Sequence, residues 1–170
     1  MNKLKLIALA AISSLVIASC DKKDDTIQTP DTSRFISNQD FFLTGAQQIP
    51  ANNSAGQGKI EGTYDKRTKV YTYKITWSGL SGAPTAIHIH GVADRGFTAV
   101  FVPPLAAYPN GIVQDITGFT KSSSGSLSGT LYVDGVVVKQ SDLLNGKFYV
   151  DIHTASFPNG EVRGQIIFAV

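Results

Sequence analysis

The chain has 170 residues, enough for one domain with a sizeable core, and 42% of them are hydrophobic against 16% charged. A formal net charge of +2, without any run of like charges, excludes a nucleic-acid-binding surface. A single cysteine excludes an internal disulfide, so the fold rests on its core alone.

Residues 1–19 read as an export signal. Lys3 and Lys5 supply a basic start, and Leu6 to Ala18 is an apolar stretch too short for an ordinary transmembrane helix. The run Leu15-Val16-Ile17-Ala18-Ser19-Cys20 resembles a bacterial lipobox, which implies cleavage before Cys20 and its lipidation, palmitate included. An ordinary signal peptide with an incidental cysteine is the alternative. Removal of Lys3 and Lys5 takes the formal charge from +2 to 0. Residues 20–33 then form the lipidated cysteine and a flexible tether, polar and without a core-forming pattern. Within it, Lys23-Asp24-Asp25 resembles a short acidic signal that sends some Gram-negative lipoproteins to the cell surface; a solvated linker explains it equally well. The expectation is an extracytoplasmic domain, lipid-anchored to a bacterial membrane, the outer one in first place.

Residues 34–170 alternate between strand and turn patterns. Phe41 to Thr44 is a short strand. Gly58 to Tyr64 sets Ile60 and Tyr64 on one face. A polar turn, Asp65 to Thr68, leads into Lys69 to Trp77, where Tyr71, Tyr73, Ile75 and Trp77 share a face. Those aromatics suit a core better than a carbohydrate platform. Strands follow over Thr85–His90, Val113–Thr120 and Ser126–Val133. Asp134-Gly135 signals a hairpin into Val136-Val137-Val138. Ser141 to Gly146 fits one helical turn, with Ser141 as N-cap. Lys147 to His153 and Glu161 to Phe168 close the chain around Pro158-Asn159-Gly160. Gly125 and Gly129 read as turn or bulge residues. About seven to nine short antiparallel strands make an all-β domain, a β-sandwich or Greek-key barrel of immunoglobulin-like or related architecture. The apolar loop Gly91–Gly111, holding Phe97, Phe101 and Tyr108, either covers a site or packs over one end of the fold.

All three histidines lie in two of these strands. Period-two alternation puts His88 and His90 on one face, opposite Ile87 and Ile89, and Asp151 with His153 opposite Val150 and Ile152. Glu161, Arg163 and Gln165 share a face in the last strand.

Several blocks, in order, carry a resemblance: Phe42-Leu43-Thr44-Gly45-Ala46-Gln47-Gln48-Ile49-Pro50, then His88-Ile89-His90-Gly91, then Gly146 to Thr154, then Pro158-Asn159-Gly160-Glu161-Val162-Arg163-Gly164-Gln165. Over Phe41 to Ile167 the chain resembles the CHRD domain, named for chordin, an extracellular antagonist of bone morphogenetic proteins, and found also in bacterial secreted proteins. The resemblance implies a β-sandwich similar to copper–zinc superoxide dismutase, generally without enzymatic activity. Three positions depart from the family's usual pattern: Gln48 stands where Glu is usual, Val92 where Pro is usual, and Asp151 where Asn is common.

Two chemistries suit His88, His90, His153, Asp151, Glu161 and Arg163. The plainer is a polar network in which histidines donate to Glu161 or Asp151 and Arg163 pairs with a carboxylate, fixing strand register. The sharper is a metal site with His88, His90 and His153 as ligands for Zn²⁺ or Cu²⁺ and an oxygen from Asp151 or Glu161. No cofactor is otherwise expected and no catalytic set is found: a G-x-S-x-G elbow is missing around Ser122-Ser123-Ser124, and three histidines are too few for a dismutase copper centre. The expected role is a non-enzymatic binding or adhesion domain for an envelope protein or glycan. Metal binding is the alternative, and an enzyme of unknown reaction at the same site the weakest.

Overall fold

The computed structural model describes residues 33–37, 42–100 and 111–168. The signal sequence, Cys20, nearly all of the tether, and Phe101 and Tyr108 of the long loop lie outside these residues.

The alternation seen in the sequence becomes a 9-stranded antiparallel sheet. Its strands are β1 (Arg34–Ile36), β2 (Phe42–Thr44), β3 (Gln57–Asp65), β4 (Val70–Ser78), β5 (Pro84–His90), β6 (Ile112–Ile116), β7 (Gly125–Tyr132), β8 (Tyr149–Thr154) and β9 (Val162–Gln165). They run in the order β6-β5-β8-β9-β2-β3-β4-β7, with β1 paired to β3. The two ends of the sheet come together through Gln114 of β6. Its Nε2 donates to the Thr130 carbonyl of β7 at 3.0 Å, and its Oε1 accepts from the Tyr73 hydroxyl at 3.1 Å. Burial pushes that hydroxyl up to about 12. The sheet is thus nearly closed into a barrel, within the all-β class expected.

Strand β4 shows why. Tyr71, Tyr73, Ile75 and Trp77 are all buried, and the intervening Thr72 and Lys74 face solvent. The core continues through Leu43, Ile60, Ile87, Ile89, Val150, Ile152 and Val162. Removing this apolar surface from water, at roughly 25 cal/mol per Å², is what curls the sheet around one interior. The β3–β4 register runs from Gln57↔Ser78 to Asp65↔Val70. At the tip, Asp65 Oδ1 accepts the Arg67 backbone N–H at 2.9 Å, and the Arg67 side chain holds the carboxyl down to about 2.

Several local expectations change. Gly125 and Gly129 are neither turn nor bulge. They lie in β7, where an added Cβ would stand 2.6 Å from the Trp77 ring and 2.5 Å from the Tyr73 hydroxyl, so they make room for the aromatics of β4. Strand β6 ends at Ile116 rather than Thr120, and β1 was not signalled by any alternation. Val136 to Val138 form no strand. The Asp134 carboxylate accepts the backbone N–H groups of Val136, Val137 and Val138 at 2.8, 2.9 and 2.9 Å and closes the chain into a loop. The helical turn is present as Gln140–Leu144 (α1), but Lys139 precedes it and no side chain caps it, so Ser141 is not the N-cap. Gly146, at φ +68°, ends it as expected.

Candidate functional site

Strands β5, β8 and β9 lie side by side, with pairs His88↔Asp151, His90↔Tyr149 and Asp151↔Arg163. Ile87, Ile89, Val150, Ile152 and Val162 fill the barrel interior. Their neighbours therefore face outward: His88 and His90, then Tyr149, Asp151 and His153, then Arg163 and Gln165. This outer face is not bare. The segment after β5 folds over it and is held by three side chains. Gln165 Nε2 donates to the Ala93 carbonyl at 2.9 Å, Arg163 donates to the Phe97 carbonyl at 2.6 Å, and the Tyr149 hydroxyl accepts the Ala99 N–H at 3.2 Å. The first part of the long loop thus packs over Tyr149, Arg163 and Gln165 beside the histidines.

On the same outer face, the three histidines converge. One ring nitrogen from each of His88, His90 and His153 falls within 4.8 Å of the others. The ring centroids of His88 lie 5.4 Å from His90 and 4.9 Å from His153. Two of the rings have their outer nitrogens engaged by protein. His153 Nδ1 sits 3.0 Å from the Pro158 carbonyl, which only accepts, so Nδ1 carries a hydrogen, and the lone pair of the neutral form of the ring falls on Nε2. His88 Nε2 faces the Asp115 carboxylate at 3.5 Å, which favours the hydrogen there and leaves the lone pair on Nδ1. Among the described residues, the buried Nδ1 of His88 and Nε2 of His153 have no hydrogen-bond partner. Burial, and then the neighbouring His153, lower the pKa of His88 and keep it neutral, with Asp115 opposing. His90 packs flat on Tyr149 at 5.0 Å between centroids.

Asp151 joins the cluster from β8. Its Oδ1 accepts from Gln48 Nε2 at 2.7 Å, and its Oδ2 stands 4.0 Å from His153 Nε2, too far for a hydrogen bond. Burial raises its pKa, against the pull of His153, Gln48 and Arg163. Gln48 and Asp151, the two departures from the usual Glu and Asn, therefore prove to be the two ends of one hydrogen bond. Arg163 belongs to the same face, but its guanidinium lies over the Tyr149 ring at 3.6 Å. With β8 between β5 and β9, that ring stands between the cation and His90.

Glu161 does not join them. Its carboxylate is fully buried and accepts from Ser54 Oγ, Ser81 N and Ser81 Oγ at 2.7 Å each and from Thr154 Oγ1 at 2.5 Å. Burial alone would raise its pKa; the hydroxyl donors outweigh that and lower it. The expected network of histidines donating to Glu161 or Asp151 is corrected accordingly: His153 donates to Pro158, and Glu161 is satisfied by serines and a threonine of other segments. Tyr149, Gln48 and Asp115 were missed as site residues. Asp115 on β6 carried no signal, because its pairing with His88 depends on the order of strands in the sheet.

The family model for the CHRD domain matches residues 40–166. No curated protein and no solved structure matches the chain.

Proposed function

Because the chain belongs to the CHRD domain family, which supports a binding-type domain, we propose that what it binds is a divalent transition-metal ion, Zn²⁺ or Cu²⁺, held by His88, His90 and His153. The observation that carries this is the convergence of the three rings together with two buried nitrogens that lack a hydrogen-bond partner, Nδ1 of His88 and Nε2 of His153, while the other nitrogen of each ring faces Asp115 or Pro158. A buried polar atom without a partner costs about 1–3 kcal/mol, so a fold keeps one where something else is to occupy it. An outer carbonyl or carboxylate that fixes the tautomer is also the usual buttress of a metal-bound histidine. The ligand atoms, within 4.8 Å of one another, contract by up to about 1.4 Å to meet a tetrahedral ion at 2.0–2.1 Å each. The protein is a carrier of its ion rather than an enzyme.

The domain works outside the cytoplasm, tethered through lipidated Cys20 to the outer membrane. Elemental analysis of the full chain, purified in detergent without a histidine tag, is expected to find close to one equivalent of zinc or copper, and His88→Ala to remove it. A metal-free protein that takes up neither ion contradicts the reading. For the anchor, Cys20→Ala is expected to release the protein from the membrane fraction, and unchanged fractionation contradicts it. A second reading, contact with an envelope protein or glycan, draws on the exposed Val92, Phe97 and Val100 of the covering segment.

A further inference from the structure

Resting on the metal reading, we infer that Asp151 is the fourth ligand and Gln48 its positioning residue, so that the centre is closed by four protein groups and holds its ion without an open position.

Charge is the first reason. Three neutral imidazoles bring no negative charge to a buried dication, and a buried ion requires a partner of opposite sign. Asp151 is the buried carboxylate on this face, 7% exposed, whereas Asp115 is 69% exposed at its side chain. Geometry is the second. A carboxylate that buttresses a metal-bound histidine faces the nitrogen away from the ion, as Asp115 does at His88. Asp151 Oδ2 instead faces His153 Nε2, the nitrogen on the ion side, across 4.0 Å. Two ligands on one ion at 2.0–2.1 Å stand about 3.4 Å apart at the tetrahedral angle and about 4.2 Å apart when opposed. The gap between Oδ2 and Nε2 falls between these two spacings, so Oδ2 closes by about 0.6 Å to join the histidines on a tetrahedral ion. The third reason is preorganisation. Gln48, itself buried, holds Oδ1 at 2.7 Å and so fixes the carboxylate with Oδ2 toward His153 Nε2. Gly160, at φ +116°, allows this pair to lie against its backbone: an added Cβ would stand 2.5 Å from Asp151 Oδ1 and from Gln48 Nε2. A site with four protein ligands is of the storing or structural kind, while catalytic sites keep one position for water or substrate.

Cobalt reports coordination number directly. The full chain in detergent, stripped and loaded with Co²⁺, is expected to show the intense visible absorption of a four-coordinate ion, unchanged by added azide or thiocyanate. Asp151→Asn is expected to weaken Zn²⁺ binding at least tenfold and to give a Co²⁺ spectrum that now responds to azide. Gln48→Leu is expected to weaken binding by about tenfold while the spectrum keeps its four-coordinate form. Asp151→Asn with unchanged affinity and spectrum, or a wild-type spectrum that shifts with azide, overturns the fourth ligand while the three-histidine site stands. Failure of the wild-type chain to bind Co²⁺, Zn²⁺ or Cu²⁺ overturns the metal reading itself, and the fourth ligand with it.

Discussion

Strand β8 carries two buried polar clusters of opposite character. Around Thr154 at its end, the Glu161 carboxylate receives donors from Ser54, Ser81 and Thr154, and its pKa is lowered despite burial. Around His153 and Asp151, ring nitrogens of His88 and His153 lie buried without a hydrogen bond, and burial raises the pKa of Asp151. The first cluster is complete as folded and ties together the segments before β3, before β5 and before β9. The second is preorganised but incomplete. A fold that satisfies one buried charge so fully does not leave the next group unsatisfied by default; the difference marks where a ligand is expected.

The sharpest way to break this contrast is to remove the finished cluster. Glu161→Ala strands the donors of Ser54, Ser81 and Thr154 and is expected to cost about 3 kcal/mol in denaturant unfolding. A loss below about 1 kcal/mol would mean that the cage is not structural. Next in size, Zn²⁺ at one hundred times its Kd is expected to raise stability by about 2.7 kcal/mol, an effect absent in His153→Ala. The acid limb separates the two carboxylates. A lowered pKa makes Glu161 stabilising above its ordinary value of 4.5, and that contribution is lost as pH falls through the folded value. A raised pKa gives Asp151 the opposite sign: its charged form opposes folding at neutral pH, and protonation relieves this. Glu161→Gln should therefore flatten the acid loss of stability, and Asp151→Asn should leave metal-free protein at pH 7 as stable as the parent or more so. The reverse pattern in pH-dependent melting would erase the distinction. The smallest effect belongs to neither cluster. Gln114→Ala opens the seam between β6 and β7 and is expected to cost about 1 kcal/mol.

The strands and the core of β3 to β5 were legible because period-two alternation is a direct record of burial, as Tyr71, Tyr73, Ile75 and Trp77 show. The same alternation placed His88, His90, Asp151 and His153 on the correct faces. It could not say which strands are neighbours, and so Glu161 was grouped with the histidines although its side chain meets Ser54 and Ser81, from segments distant in sequence. Gln48 was noticed only as a lost carboxylate; its 2.7 Å bond to Asp151 joins residues more than a hundred positions apart, which no local pattern encodes. Asp134 looked like a hairpin turn because Asp-Gly signals one, yet its carboxylate captured three successive backbone N–H groups before a strand could form.

Calorimetric titration of the full, metal-stripped chain with Zn²⁺ and Cu²⁺, alongside His153→Ala, tests the central claim most directly. One ion per chain, bound by the parent and lost in the variant, is the result predicted. No heat of binding, or binding that His153→Ala leaves unchanged, would contradict it and return the three histidines to a purely structural role.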